Sequence, residues 1–141
     1  MLTNSTFVAA LALMLTTIGP VPVAAAIAPS ADACARAQTQ ALITACVDME
    51  ARNIDATVNK TYLSVRRHLS GRRRTRLEAA QRTWLAYRNA ECDAVAGVFS
   101  GGTIEATYRA SCRADLDRSR IAALRWQLHP EQPLGTARPS P

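Results

Sequence analysis

The chain has 141 residues, 17 of them Lys or Arg and 11 Asp or Glu, so its formal net charge is +6. This length predicts one small domain. A basic chain is compatible with anionic envelope polymers or lipid head groups as partners, although charge alone identifies none of them.

The N-terminal segment has the pattern of an export signal. Residues 7–19 carry no charge, prolines follow at 20 and 22, and Ala24-Ala25-Ala26 meets the small-x-small rule for signal peptidase. The apolar run is shorter than the roughly 20 residues that a membrane span needs. The pattern predicts a signal peptide over residues 1–26 with cleavage near Ala26. The mature protein is then periplasmic or secreted and has no transmembrane span.

Helical periodicity dominates the remainder of the chain. Apolar residues at steps of three and four predict helices over residues 40–69, 73–99 and 104–128. Thr39 and Thr103 are the predicted N-caps of the first and third helices. In the third helix the predicted core stripe contains Tyr108, Cys112, Leu116 and Leu124. The tail, residues 130–141, contains four prolines and is predicted to be disordered. Short links predict an all-α, three-helix antiparallel bundle over residues 27–129.

Four cysteines, Cys34, Cys46, Cys92 and Cys112, predict two disulfides in an exported chain. Their spacing lacks the close pairs of zinc sites and redox motifs, so no metal and no cofactor is expected. On one helix, Cys34 and Cys46 would lie about 18 Å apart, which argues against that pair. Antiparallel neighbours bring Cys46 and Cys112 both close to the level of Cys92. Two pairings stay open, 34–112 with 46–92 and 34–92 with 46–112, and we favour the first.

Several polar residues interrupt the predicted apolar stripes. Burial without partners would be costly, so we expect them to pair between helices, with an ion pair between Asp55 and Arg88. The expected structural polar layer consists of Asp55, Asn59, Tyr62, Gln81, Arg88 and Arg120.

The first helical hairpin ends in a cluster of arginines. This arginine tip consists of Arg66, Arg67, Arg72, Arg73, Arg74 and Arg76. Concentrated positive charge predicts docking on anionic material, whereas the tip lacks the stacking aromatics of nucleic-acid-binding surfaces. Catalytic motifs are absent, and Asp115 and Asp117 project from different faces of a helix, so we expect no enzymatic activity.

The run Ala80–Cys92 resembles the pattern A-Q-R-x-W-x-x-[YF]-R-x-x-x-C of LprI-type domains, small exported bacterial proteins named for a lysozyme-inhibiting lipoprotein. Cys34, Cys46, Asp55, Gly101-Gly102, Cys112, Leu116 and Arg120 extend the resemblance over residues 34–124, although the usual Thr of the family is Asp117 here. The resemblance implies a helical, disulfide-bonded, non-enzymatic binding protein and lysozyme as a partner.

Because animal-type lysozymes are basic, an acidic surface is expected to face that partner. The candidate acidic patch is formed by Asp32, Asp93 and Glu105, near the end opposite the arginine tip. The alternative function is an envelope-associated module that docks on cell-wall or lipid material through this tip.

Overall fold

The computed structural model describes residues 28–131, which form four helices and no strand. They are α1 (Ala31–Ala35), α2 (Gln40–His68), α3 (Gly71–Gly97) and α4 (Glu105–Trp126). The predicted all-α class is confirmed, and α2, α3 and α4 correspond to the three predicted helices. The short helix α1 was not predicted. The predicted signal peptide and the tail from residue 132 lie outside the described residues.

The helix starts follow from local hydrogen bonds. The side chain of Thr39, the predicted N-cap of α2, accepts a hydrogen bond from the backbone N–H of Leu42 at 3.3 Å. The predicted cap at Thr103 is wrong, because Ile104 occupies the N-cap position of α4 without a side-chain cap. Instead, the carboxylate of Glu105 accepts a hydrogen bond from Gly101, whose positive φ of 78° suits a glycine at this turn.

Helix α4 is the centre of the bundle. It packs along both α2 and α3, whereas α2 and α3 contact each other only sparsely. Near the hairpin between α2 and α3, an aliphatic core contains Val58, Val65, Leu69, Leu77, Ile121 and Leu124. Farther from that hairpin, α2 and α4 meet through Ala51, Ala110 and Ala114, whose small side chains let the two backbones approach closely.

The buried face of α4 shares Leu124 with the predicted stripe but otherwise differs from it. Ala110, Ala114, Asp117, Ile121 and Leu124 are its buried residues, again at steps of three and four. The prediction followed larger apolar side chains and so chose a neighbouring face, on which Tyr108 is exposed. Small core residues and a buried carboxylate carry little hydropathy signal, which explains the error.

The disulfides join Cys34 to Cys46 and Cys92 to Cys112, with Cα–Cα distances of 5.6 and 5.5 Å. Both predicted pairings are therefore wrong. The exclusion of the first bond assumed that its two cysteines share one helix, but the chain turns between α1 and α2, which places Cys34 beside Cys46. Cys112 was expected to lie near Cys92, and these two cysteines form the second disulfide. This bond fixes α3 against α4.

Candidate functional site

A buried ionic cluster lies between the aliphatic core and the alanine residues through which α2 and α4 meet. Arg88 extends from α3, and its Nη1 donates to Asp55 Oδ1 at 2.5 Å and to Asp117 Oδ1 at 2.7 Å. The Asp117 side chain is only 1% exposed, whereas that of Asp55 is 40% exposed. One guanidinium thus joins all three long helices. The ion pair predicted between Asp55 and Arg88 is present, and Asp117 is an additional partner.

Burial dominates the electrostatics of this cluster. Desolvation raises the pKa of Asp117 even though Arg88 opposes the shift. Burial by itself lowers the pKa of Arg88, but hydrogen bonds to Asp117 and Asp55 outweigh it, so the pKa of Arg88 is raised. Two carboxylates share one cation here. Such an arrangement fixes the register of packed helices, while the removal of one partner leaves a buried charge unpaired.

A second polar contact lies one to two turns farther along α3, toward the arginine tip. Arg120 Nε donates to Gln81 Oε1 at 3.0 Å, and burial lowers the pKa of Arg120. The Trp84 ring lies near both arginines, with its centroid 5.2 Å from the Arg88 guanidinium carbon and 5.4 Å from that of Arg120. Four of the six residues of the predicted layer therefore occupy two polar contacts, with the Trp84 ring between them: Asp55, Gln81, Arg88 and Arg120.

The remaining two residues of that layer lie at its edges. Asn59 is exposed and its amide donates to Asp55 Oδ2 at 3.3 Å. Tyr62 is partly buried against the aliphatic core rather than bonded to either polar contact. Neither position brings a side chain into a reactive arrangement.

The sequence reasoning missed Asp117. Asp117 was compared with Asp115 and noted in place of the usual Thr, but it was not placed on a core-facing stripe. The signal was the spacing of Ala110, Ala114, Asp117, Ile121 and Leu124, which puts an aspartate in the middle of a buried face. A carboxylate at such a position requires a cationic partner, and Arg88 is the arginine on the facing stripe of α3.

A cleft of about 300 Å³ opens beside the ionic cluster, between α2 and α4. Most of its charged side chains are already paired within the protein: Asp48 with Arg52, and Asp55 and Asp117 with Arg88. Within residues 28–131, no three His, Cys, Asp or Glu side chains are grouped so as to hold a metal ion. Among the charged side chains that line the cleft, Arg113 forms no ion pair within the described residues.

The predicted arginine tip divides into paired and unpaired cations. Arg66 forms an ion pair with Glu78 at 2.7 Å, and Arg74 Nε donates to the Leu69 carbonyl at the end of α2. The other four are exposed and form no ion pair within residues 28–131: Arg67, Arg72, Arg73 and Arg76. The tip thus presents concentrated positive charge at one end of the bundle.

The predicted acidic patch contains an arginine. Arg109 donates to Asp93 Oδ1 at 2.9 Å and to Glu105 Oε1 at 2.7 Å. The hydrogen bond from Arg109, followed by that from Gly101, lowers the pKa of Glu105. Asp32 lies on α1 and is joined to neither carboxylate by a hydrogen bond or ion pair among the described residues. The trio of Asp93, Glu105 and Arg109 retains one net negative charge.

Residues 30–124 match the family described as "Lysozyme inhibitor LprI". The chain belongs to the LprI lysozyme inhibitor family. An uncharacterized protein of Rhizobium meliloti (strain 1021), R02472, is 31% identical over 105 residues, which cover 65% of this chain and 76% of the relative. No solved structure is significantly similar to this chain.

The run that carries the LprI resemblance is mainly structural in this protein. Four of its residues point into the bundle. Gln81 bonds to Arg120, and Trp84 lies beside Arg88 and Arg120. Arg88 itself pairs with Asp55 and Asp117, and Cys92 is bonded to Cys112. Tyr87, in the same run, is 52% exposed. The inward residues hold the three long helices together, so residues that bind a partner have to be sought on the outer surface.

Proposed function

We propose that this protein binds lysozyme and inhibits it. The observation that carries the proposal is the family match over residues 30–124, which contains α1, α2, α3 and nearly all of α4. The family description names inhibition, and the proposal therefore contains no catalytic step by this chain. Two disulfides and the buried ionic cluster support a rigid binding surface, which limits the conformational entropy lost on association.

The disulfides and the family together indicate an exported protein. We propose that the mature chain is periplasmic or secreted after cleavage near Ala26, a position outside the described residues. None of the described helices has the length and apolar character of a membrane span.

Charge determines which surface suits lysozyme. The chain has a net charge of +6, and a basic lysozyme would be repelled by the arginine tip. The proposed contact therefore lies away from the tip, on the half of the bundle that holds the end of α3 and the start of α4. Asp93 and Glu105 are on that half, although Arg109 cancels part of their charge.

A second candidate function is docking on anionic envelope material through the arginine tip. The exposed arginines of the tip support it, since fold stability does not account for them: cations near a helix N-terminus oppose the helix dipole. Arg72 and Arg73 lie in the first turn of α3 and take part in no ion pair within residues 28–131.

A paired pull-down separates these functions. The mature protein is presented to immobilised lysozyme and to purified cell-wall material, with an Arg72→Gln/Arg73→Gln variant beside it. An Arg36→Gln/Arg82→Gln variant is the matched control, because it removes two exposed arginines from other surfaces.

Lysozyme inhibition predicts retention of wild type and both variants on lysozyme. Envelope docking predicts retention on cell-wall material that only the tip variant loses. Absence of retention on lysozyme at micromolar concentrations would contradict the first proposal.

A further inference from the structure

An exposed groove runs between α3 and α4. Tyr87 is 52% exposed and Tyr108 is 43% exposed, so two aromatic rings border it. We call it the tyrosine groove, and the residues that the argument uses are Tyr87, Glu91, Val95, Tyr108, Asp115 and Leu116. The disulfide between Cys92 and Cys112 holds its two helices together.

The charge of the tyrosine groove is opposite to that of the whole protein. Its lining contains the carboxylates Glu91 and Asp115 and no Arg, Lys or His. Asp115 accepts a hydrogen bond from Arg118 at 2.8 Å, and Arg118 also contacts Glu50. Glu91 takes part in no ion pair within the described residues, unlike most carboxylates of this arginine-rich chain. A partner can therefore supply the cation that Glu91 lacks.

The aromatic walls add a second element of cation recognition. The rings of Phe99 and Tyr108 are stacked, with centroids 4.0 Å apart and an interplanar angle of 21°. This stacking fixes the position of the Tyr108 ring, so little side-chain entropy is lost when a partner contacts it. Tyrosine faces attract Lys and Arg side chains, and a carboxylate nearby accepts their hydrogen bonds. Val95 and Leu116 provide an apolar floor for the methylene stem of such a side chain.

The distance from the arginine tip also favours this surface. Arg76, the tip residue of α3 nearest to the groove, lies 15 positions before Glu91, or about 22 Å along the helix axis. The Debye length at physiological ionic strength is about 8 Å, so repulsion between the tip and a basic partner bound in the groove is largely screened.

We propose that the tyrosine groove binds a lysine or arginine side chain of lysozyme, against a tyrosine ring and beside Glu91. This inference rests on the proposed function and specifies the surface that performs it. It differs from the acidic patch of Asp32, Asp93 and Glu105, whose central charge is already compensated by Arg109.

The test measures the dissociation constant for lysozyme by calorimetry with three groove variants. Tyr87→Leu removes an aromatic face but keeps apolar volume, and we expect binding to weaken about three- to tenfold. Glu91→Gln removes the unpaired carboxylate and should weaken binding by about fivefold or more, while Glu91→Arg should weaken it further through repulsion. Tyr87 and Glu91 are exposed, so thermal unfolding should stay unchanged.

Matched controls lie at the other end of the molecule. Glu131→Gln changes the net charge as Glu91→Gln does, and Trp126→Leu removes a partly exposed aromatic ring. Both should bind lysozyme as wild type does. The inference is overturned if Glu91→Arg binds within twofold of wild type, or if an Asp32→Asn/Asp93→Asn/Glu105→Gln variant loses binding while the groove variants retain it.

A second probe keeps the groove testable if lysozyme does not bind. A short arginine-rich peptide is titrated into the ¹⁵N-labelled mature protein, and chemical-shift changes are expected at Tyr87, Glu91 and Tyr108. Glu91→Arg should abolish them. Such shifts without lysozyme binding would refute the proposed function and leave a cation-binding groove. Their absence, or shifts confined to other surfaces, would refute the groove itself.

Discussion

Replacing Arg88 by methionine tests the buried ionic cluster. Methionine keeps much of the packing against Trp84 but removes the cation that holds Asp55 and Asp117. The Asp117 side chain is only 1% exposed, so the variant contains a buried carboxylate without its partner. We expect a loss of about 3–5 kcal/mol in the free energy of unfolding, the range for breaking a buried pair from one side. This is a large part of the roughly 5–15 kcal/mol that stabilises a typical domain.

A pair of double-mutant cycles shows where that loss comes from. Adding Asp117→Thr, which introduces the usual residue of the family, removes the stranded charge and should recover about 2 kcal/mol or more. Adding Asp55→Ala should recover less than about 1 kcal/mol, because the Asp55 carboxylate is 40% exposed and water already solvates it. Urea unfolding followed by circular dichroism supplies each value.

The same variant has a predictable dependence on pH. Burial already raises the pKa of Asp117, and loss of Arg88 removes the interaction that opposes this shift. When the folded pKa of an acid exceeds its unfolded pKa, the folded state binds more protons, so stability falls as pH rises through that interval. The deficit of Arg88→Met should therefore shrink as the solution is acidified toward the ordinary Asp pKa of 3.8. A loss below about 0.5 kcal/mol, or one independent of pH, would refute the reasoning.

Three further predictions concern other parts of the molecule. Mass spectrometry of a non-reduced digest should find Cys34–Cys46 and Cys92–Cys112. Replacing Cys92 and Cys112 by alanine should lower the free energy of unfolding by about 3 kcal/mol. Replacing Cys34 and Cys46 should lower it less, because α1 buries no residue. The unfolding free energy of wild type relative to Asp117→Asn should fall as pH rises above 3.8, since burial raises the pKa of Asp117; a rise would show that Arg88 outweighs burial. Arg72→Gln/Arg73→Gln should keep the free energy of unfolding or raise it by up to about 1 kcal/mol per removed cation; a clear loss would show that these arginines stabilise the fold.

The helices could be predicted because their signals are local. The apolar stripe of α2 and the cap at Thr39 each depend on residues a few positions apart, and the structure contains both. The level of Arg88 against Asp55 also followed from antiparallel geometry, since short links leave few choices for register.

The disulfide pairing and the role of Asp117 depended on information that is not local. One false assumption, that Cys34 continues the helix of Cys46, excluded the correct bond and forced both pairings to be wrong. The core of α4 was misplaced because Ala110 and Ala114 have little hydropathy contrast, and Asp117 was therefore not recognised as buried. The tyrosine groove could not be seen in the sequence, since its residues come from two helices and the lack of an ion pair at Glu91 among the described residues is a property of the folded chain.

Inhibition is the central claim, and titration of lysozyme activity against the mature protein tests it most directly. The lytic rate of a fixed concentration of a basic animal-type lysozyme on cell-wall suspensions is measured as the protein is added. The account predicts that the rate falls to a plateau as a stoichiometric complex forms, and that Glu91→Arg shifts the curve to higher concentration while Glu131→Gln does not. An unchanged lytic rate with correctly disulfide-bonded protein in large molar excess would contradict the account.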